Sequence, residues 1–343
     1  MKRYLGRFAA LTGLATGIWL VANDRPATIL ALMHDAGWGL SLAACIHLLP
    51  MLANARDWQT LFRARTRPVI SRMLFLVWLR ESVNSLLPVA RIGGEVVAYR
   101  MLRRYGLRSS AAAASLVVDM QLTVISQLFL TLAGIGYLLA QTRPDLLRLA
   151  GELALGAALI APALLIFALV QHVSPFERAG RLLSRLGGSE LHAALGRPAH
   201  IDQSIKLIWK QRGVILRYLF FWQPFQSGLT ALELWVAARF LGANLSLVQS
   251  VVLELLIQAV SSAAFFVPGA LGVQEGGFIV IGGSLGLDPA VSLALAGSRR
   301  IRDLMIFLPG LAAWQWTEFS VRQSSSVLDS KRAHQPTDVR AES

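Results

Sequence analysis

The chain is short of charge, of lysine and of cysteine, and each shortage excludes something. Only 15% of its 343 residues are Asp, Glu, Lys or Arg, whereas a soluble domain carries about 25% because its surface must be solvated. An ordinary water-facing surface is therefore excluded. A single cysteine, Cys45, leaves no internal disulfide and no thiolate metal cage. Six scattered histidines, with no HExxH, CxxC or Walker-type glycine loop, give no support to metallohydrolase or nucleotide chemistry. No cofactor and no metal is expected. Acidic residues are outnumbered, 20 against 33 Lys+Arg, which gives a formal charge of +13. The only lysines are Lys2, Lys206, Lys210 and Lys331, so the excess is carried by arginine.

What replaces charge is apolar length. Hydrophobic residues make up 55% of the chain and the mean hydropathy is +0.53. Apolar runs of about 20 residues recur, the length that crosses a hydrocarbon core of ~30 Å. The expected class is an all-α polytopic membrane protein. In a soluble chain so basic a composition would point to nucleic acid; in a membrane chain the arginines belong in cytoplasmic loops, and no nucleic-acid partner is expected.

The pattern predicts about six full transmembrane helices. Lys2, Arg3 and Arg7 precede an apolar stretch that reaches Ala22 without a small-x-small cleavage site before Asp24, so it is read as a first span rather than a signal peptide. A second span covers 27–53, and a basic stretch with Arg56, Arg63, Arg65, Arg67 and Arg72 follows. The next apolar segment, 73–88, carries Arg80 and Glu81 at its middle and would rise only ~22 Å before Pro88. Arg100, Arg103, Arg104 and Arg108 make its far flank basic too, so a re-entrant hairpin fits better than a crossing. Further spans are expected at 110–141, 153–172, 213–240 and 288–320, the last broken near Arg299–Arg302 and Pro309-Gly310. The 247–285 block is broken by Pro268-Gly269-Ala270-Leu271-Gly272 and reads as a second hairpin. Between 173 and 212, Arg178, Arg181 and Arg185 at helical spacing suggest an amphipathic helix on the cytoplasmic surface. With these assignments most basic residues fall inside, and both termini are cytoplasmic. Arg80, Arg91, Arg217, Arg299, Arg300 and Arg302 remain in or beside apolar segments.

An offset of 180 residues aligns Pro88 with Pro268, Glu95 with Glu275, and Gly106-Leu107 with Gly286-Leu287. The shared order is apolar limb, Pro, Gly-rich bend, Glu, apolar limb, Gly-Leu, long helix. Under the expected topology the two units enter from opposite sides, an inverted repeat with half-repeats at 5–141 and 153–321. Residues 1–321 form one membrane domain, and the polar tail 322–343 is expected to be disordered. Inverted repeats place a substrate site near the midplane, where broken helices converge. Kinked but fully spanning helices are the simpler alternative.

Ionisable groups at membrane depth are costly unless paired or hydrated. Arg80 and Glu81 are helical neighbours that cannot face one another, so each needs a partner elsewhere. Glu95 and Glu275 either line a cavity together or cap the helices that follow their bends. Arg299, Arg300 and Arg302 could grip a phosphate or carboxylate; an ion pair of Arg302 with Asp119 or Asp303 is the alternative. Asp119, Glu233 and Glu254 are lone acids expected to be structurally paired, and His47 a hydrogen-bonded packing residue. Asn84 is expected to satisfy carbonyls freed by Pro88.

The run Asn84-Ser85-Leu86-Leu87-Pro88-Val89-Ala90-Arg91-Ile92-Gly93-Gly94-Glu95, followed by Arg100, resembles a signature of the lysylphosphatidylglycerol synthase transmembrane-region family, often called flippase-like. Pro268-Gly269-Ala270-Leu271-Gly272-Val273-Gln274-Glu275-Gly276-Gly277, with Arg302, is similar to its second signature. The likeness covers about residues 5–320. Glu81-Ser82-Val83-Asn84 and Val117-Val118-Asp119 resemble most the hopanoid-biosynthesis-associated membrane proteins of that family. The resemblance implies translocation or handling of a polar lipid, hopanoid-related or anionic, between leaflets of a bacterial inner membrane. The implied lipid path includes Arg80, Glu81, Asn84, Pro88, Gly94, Glu95, Arg100, Asp119, Pro268, Gly272, Glu275, Arg299 and Arg302. Full-length synthases add a soluble aminoacyl-transfer domain; none follows here, so no enzyme activity is expected. Membrane lipids are the expected partners, with lipid-biosynthesis enzymes as the partners of a scaffold in the alternative reading. A head-group-modifying enzyme using paired carboxylates is a third reading.

Overall fold

A computed structural model describes residues 26–87, 93–141, 143–169, 198–264, 267 and 270–333. Among the described residues the chain is helical, with no strand. The expected first span, the bend residues Pro88 and Pro268, and Arg178, Arg181 and Arg185 lie outside them.

The expected second span, 27–53, is not one helix but falls in three: α1 (Pro26–Ala36), α2 (Trp38–Ile46) and α3 (Leu48–Thr60). Gly37, at φ +45°, breaks it first and His47 second. A loop leads to α4 (Ile70–Leu86), and α5 (Gly93–Arg104) packs against it. The long α6 (Ser109–Ala140) follows, then α7 (Pro144–Leu169). The stretch around Arg148 and Glu152, which falls between the expected spans 110–141 and 153–172, is the start of α7, and these two residues form an exposed i,i+4 ion pair there.

After the undescribed segment, α8 (Pro198–Trp209) buries Ile201, Ile205 and Ile208 in the same apolar core as Leu116 and Leu122 of α6. A short α9 (Arg212–Arg217) and a π-helical turn, Tyr218–Trp222, lead into α10 (Gln223–Phe240). The second hairpin is α11 (Leu247–Ala263) and α12 (Val273–Ser284). A capping box between Ser246 and Gln249 starts α11 by satisfying two orphan donors.

The last helix, α13 (Pro289–Ala333), runs through both expected breaks and into the expected tail. Proline removes one helical hydrogen bond and loosens the preceding turn. Here the Trp78 indole N–H donates to the Ile306 carbonyl at 2.7 Å, so a carbonyl in the turn before Pro309 is satisfied from α4. At the same crossing a Cβ on Gly310 would meet Ser82 Oγ and the Trp78 ring, so glycine lets α13 lie against α4.

Two stretches, Trp38–Thr60 and Ser109–Ala140, are long and apolar enough to cross a membrane, while Leu247–Ala263 is apolar but shorter. The short limbs α5 and α12 each have 12 residues, a rise of only ~18 Å. The offset seen in the sequence now places Gly93 on Val273 and Arg104 on Ser284, so the two limbs coincide end to end. Both end in the same cap: Gly106 and Gly286 take φ of +85° and +94°. The next residues, Leu107 and Leu287, donate back to Leu102 and Gly282. Their partners α4 and α11 have 17 residues each.

Packing divides into two apolar cores. One gathers Trp58, Met73, Leu76, Leu102 and Leu122 around the first hairpin; the other gathers Leu253, Ile257, Phe278 and Leu293 around the second. Large apolar side chains, among them Trp38, Phe220, Leu308 and Trp316, remain exposed. A surface of that kind suits hydrocarbon rather than water.

Candidate functional site

The ionisable residues of the apolar segments are gathered into three linked clusters. The first is built on α4, where Arg80 and Asn84 are one turn apart and share a face. The Arg80 Nε–H donates to Glu95 Oε1 on α5 at 2.8 Å, and its Nη1 donates to Asp119 Oδ2 on α6 at 2.6 Å. The other Asp119 oxygen accepts from the Tyr218 hydroxyl at 2.7 Å. The Arg80 guanidinium also lies over the Trp58 ring, 5.1 Å from its centroid, a favourable cation–π position. Asn84 closes the bend by accepting the Gly94 N–H at 2.8 Å, rather than donating to freed carbonyls. Gly94 is the point of closest approach: an added Cβ would stand 2.3 Å from the Arg80 carbonyl oxygen and 2.6 Å from the Asn84 side chain.

The second cluster surrounds the other bend. Gly272, at φ +77°, donates its N–H to Glu275 Oε2 at 2.7 Å, so this carboxylate caps α12. The remaining Glu275 oxygen accepts from Arg300 Nη2 at 2.8 Å. Beside it Arg299 of α13 pairs with Glu254 of α11 and lies over the Phe278 ring. Capping therefore applies to Glu275, while at the first bend Asn84 caps and Glu95 is left to Arg80.

The third cluster joins the two halves. Arg302 donates from Nη1 to Glu233 Oε1 at 3.0 Å and from Nη2 to its neighbour Asp303 at 2.7 Å. His47, in the break between α2 and α3, places Nδ1 2.7 Å from Glu233 Oε2 and 3.4 Å from Arg302 Nη1. Its Nε2 faces Glu81 Oε2 at 4.0 Å. The side chains of His47, Glu233, Arg302 and Asp303 are at most 14% exposed, whereas Glu81 is 29% exposed. Beside this cluster lies an apolar cavity of about 270 Å³ lined by Ala44, Cys45, Leu48, Trp78, Met305, Ile306 and Pro309.

The sequence-derived candidates thus separate. Arg80, Asn84, Gly94, Glu95 and Asp119 meet in one cluster, Gly272, Glu275 and Arg299 in the second, and Glu81 and Arg302 in the third. Arg100 is exposed on α5, away from these pairs. The arginines expected to grip an anion, Arg299, Arg300 and Arg302, are engaged by carboxylates of the protein itself, as is Arg80. Sequence reasoning assigned His47, Glu233 and Glu254 to structure alone and left Tyr218 and Asp303 out of the site. The available signal was charge balance: each lone acid on an apolar helix needs a cation, and few arginines lie at that depth. Among the described residues no group of His, Cys, Asp and Glu is arranged to hold a metal ion.

The family model described as the lysylphosphatidylglycerol synthase TM region matches residues 8–310, and the chain belongs to that family. It is therefore a membrane protein related to lipid handling. No curated protein and no solved structure matches the chain.

Proposed function

We propose that this protein is a flippase-like, non-enzymatic transporter that moves a polar lipid between membrane leaflets. The observation that carries the reading is the pair of helix–bend–helix hairpins, α4–α5 and α11–α12, each with a carboxylate in the first turn after its bend. A limb rising ~18 Å cannot cross a ~30 Å core, so each hairpin enters and leaves on one side. With the two entering from opposite faces the halves form an inverted repeat, and their bends meet near the midplane. Six spans complete the membrane domain, with both termini cytoplasmic in a bacterial inner membrane. The basic flanks support that orientation.

In this reading the head group passes along Glu95, Glu275 and the ion pairs that hold them. The tails stay in hydrocarbon, and the apolar cavity beside Cys45 and Trp78 gives one a seat. The arginines act by holding carboxylates in place more than by gripping an anion directly. The likeness to hopanoid-associated members makes a hopanoid-related lipid the first substrate to try.

The test uses purified protein in vesicles of phosphatidylethanolamine and phosphatidylglycerol carrying a fluorescent head-group-labelled lipid, with a membrane-impermeant quencher added outside. A transporter lets the quencher reach the inner-leaflet label, so fluorescence falls beyond the half lost in protein-free vesicles. Retention of the inner half, with each of several labelled head groups, contradicts the proposal.

A further inference from the structure

We propose that His47 and Glu81 form a proton-binding pair that controls the junction between the two halves, and, resting on the transport reading above, that this proton is what couples lipid movement to a pH gradient. The pair sits where α2, α3, α4, α10 and α13 converge. The charged groups around Glu81 are His47 from the α2–α3 break, Arg80 on its own helix, and Arg302 and Asp303 from α13. Arg80 is committed to Glu95 and Asp119, and Arg302 to Glu233 and Asp303. Among the described residues Glu81 accepts no hydrogen bond, and its one ion-pair contact is His47 at 4.0 Å. It is thus a carboxylate at membrane depth without a committed cation, the situation in which a proton is the least costly partner.

The geometry of His47 makes the proton consequential. A neutral imidazole has one donor nitrogen and one acceptor, and a protonated one has two donors. His47 Nδ1 lies between Glu233 Oε2 at 2.7 Å and Arg302 Nη1 at 3.4 Å. With the ring neutral and Nδ1 protonated, it donates to Glu233, and Nε2 offers its lone pair toward Glu81. A proton entering from water reaches Glu81 first, since that side chain is the most exposed member of the group at 29%. Transfer from the Glu81 carboxyl to His47 Nε2 leaves Glu81 anionic and makes the ring a cation, with no other bond made or broken. That cation strengthens its own contact with Glu233 and stands 3.4 Å from the Arg302 guanidinium. Like charges so close favour departure of Arg302 from Glu233 toward Asp303, which already holds its other nitrogens at 2.7 and 3.0 Å. Glu233 belongs to α10 and Arg302 to α13, so the proton exchanges an α10–α13 tie for one between α10 and the α2–α3 break.

The apolar cavity is the second observation at this place. Its lining residues Cys45 and Leu48 flank His47 in sequence, and Trp78 stands three residues before Glu81 on α4. Displacement at the junction therefore changes the walls of the cavity. Cys45, the one cysteine of the chain, is exposed there and offers a native labelling position.

The experiment combines an infrared pH-difference spectrum of the full chain in lipid nanodiscs with a spin label on Cys45. Acidification from about pH 8 to about pH 5 is expected to raise an imidazolium ring band in the wild type that His47→Gln lacks and that Glu81→Gln, without the partner carboxylate, shows only at lower pH. The Cys45 label should change mobility over the same range in the wild type, and in neither Glu81→Gln nor His47→Gln. Glu81→Asp, which keeps the carboxylate, should retain both responses if Glu81→Gln proves unfolded. Identical difference spectra in the wild type and Glu81→Gln, or a label response that survives in His47→Gln, would overturn the assignment. In vesicles, exchange that ignores an imposed pH gradient would overturn the coupling and leave the lipid reading standing. A His47–Glu81 pair that takes up a proton in a protein that exchanges no lipid would support the proton site and remove the transport reading instead.

Discussion

The two hairpins share a backbone plan and oppose one another in charge. In the first, the cation is on the long limb α4 (Arg80) and the carboxylates are on α5 and α6 (Glu95 and Asp119). In the second, the long limb α11 carries the carboxylate (Glu254) and the last helix α13 carries the cations (Arg299 and Arg300). The positions Asp119 and Arg299 correspond under the repeat offset, so one is an acid where the other is a base. The shared 180-residue offset covers where helices break and how they cap, features that fix the path of the chain. It does not constrain the sign of a buried pair, because either arrangement satisfies the requirement that a buried charge be compensated. Each hairpin leaves one buried carboxylate oxygen without a hydrogen-bond partner among the described residues, Glu95 Oε2 in the first and Glu254 Oε1 in the second. The difference lies in the acid that corresponds to Arg299. Asp119 has Arg80 on one oxygen and Tyr218 on the other, whereas Glu254 Oε1 has no hydrogen-bond partner among the described residues.

The largest expected effect comes from removing the cation at each end of this comparison. Arg80→Met strands two carboxylates, and a broken buried pair costs about 3–5 kcal/mol. Arg299→Met strands one, and its loss should lie at the lower end of that range, about 3 kcal/mol. Thermal unfolding in detergent, followed by circular dichroism, measures both; equal losses would break the proposed asymmetry.

Next is close packing. Gly94→Ala forces a methyl group against the Arg80 carbonyl and should cost up to about 3 kcal/mol, the upper end for overpacking. Gly276, just past the other bend, has open space where its Cβ would be, so Gly276→Ala should be nearly neutral. The same unfolding assay separates a tight first bend from a roomier second one.

The smallest effect belongs to Tyr218→Phe. It removes one donor to a carboxylate that Arg80 still holds, a loss of about 1.5 kcal/mol. A neutral outcome would show that the better satisfaction of Asp119 contributes nothing measurable.

Much of the architecture was legible in the sequence, for identifiable reasons. Apolar length placed described helices such as Ser109–Ala140, and Gly106-Leu107 and Gly286-Leu287 became matching caps. The continuity of α13 was not legible, because the donor that satisfies the turn before Pro309 is Trp78, more than 200 residues away in the chain. The break at His47 was hidden for a similar reason, since nothing local marks a residue whose partners are Glu233 and Arg302. For the candidate site, the residue types were readable but not their pairing. Adjacent Arg80 and Glu81 were expected to look in different directions, yet only the packed helices show that one faces Glu95 and Asp119 and the other His47. At depth the carboxylates claim the arginines, and Glu81 is left open.

If the carboxylates of the two bends lie on one lipid path, lipid exchange depends on both. Leaflet exchange in reconstituted vesicles is compared between the wild type and the double variant Glu95→Gln, Glu275→Gln, with unfolding temperature confirming that the variant is folded. Loss of exchange in a folded double variant, with partial loss in each single variant, is the predicted result. Unchanged exchange in the folded double variant would contradict it.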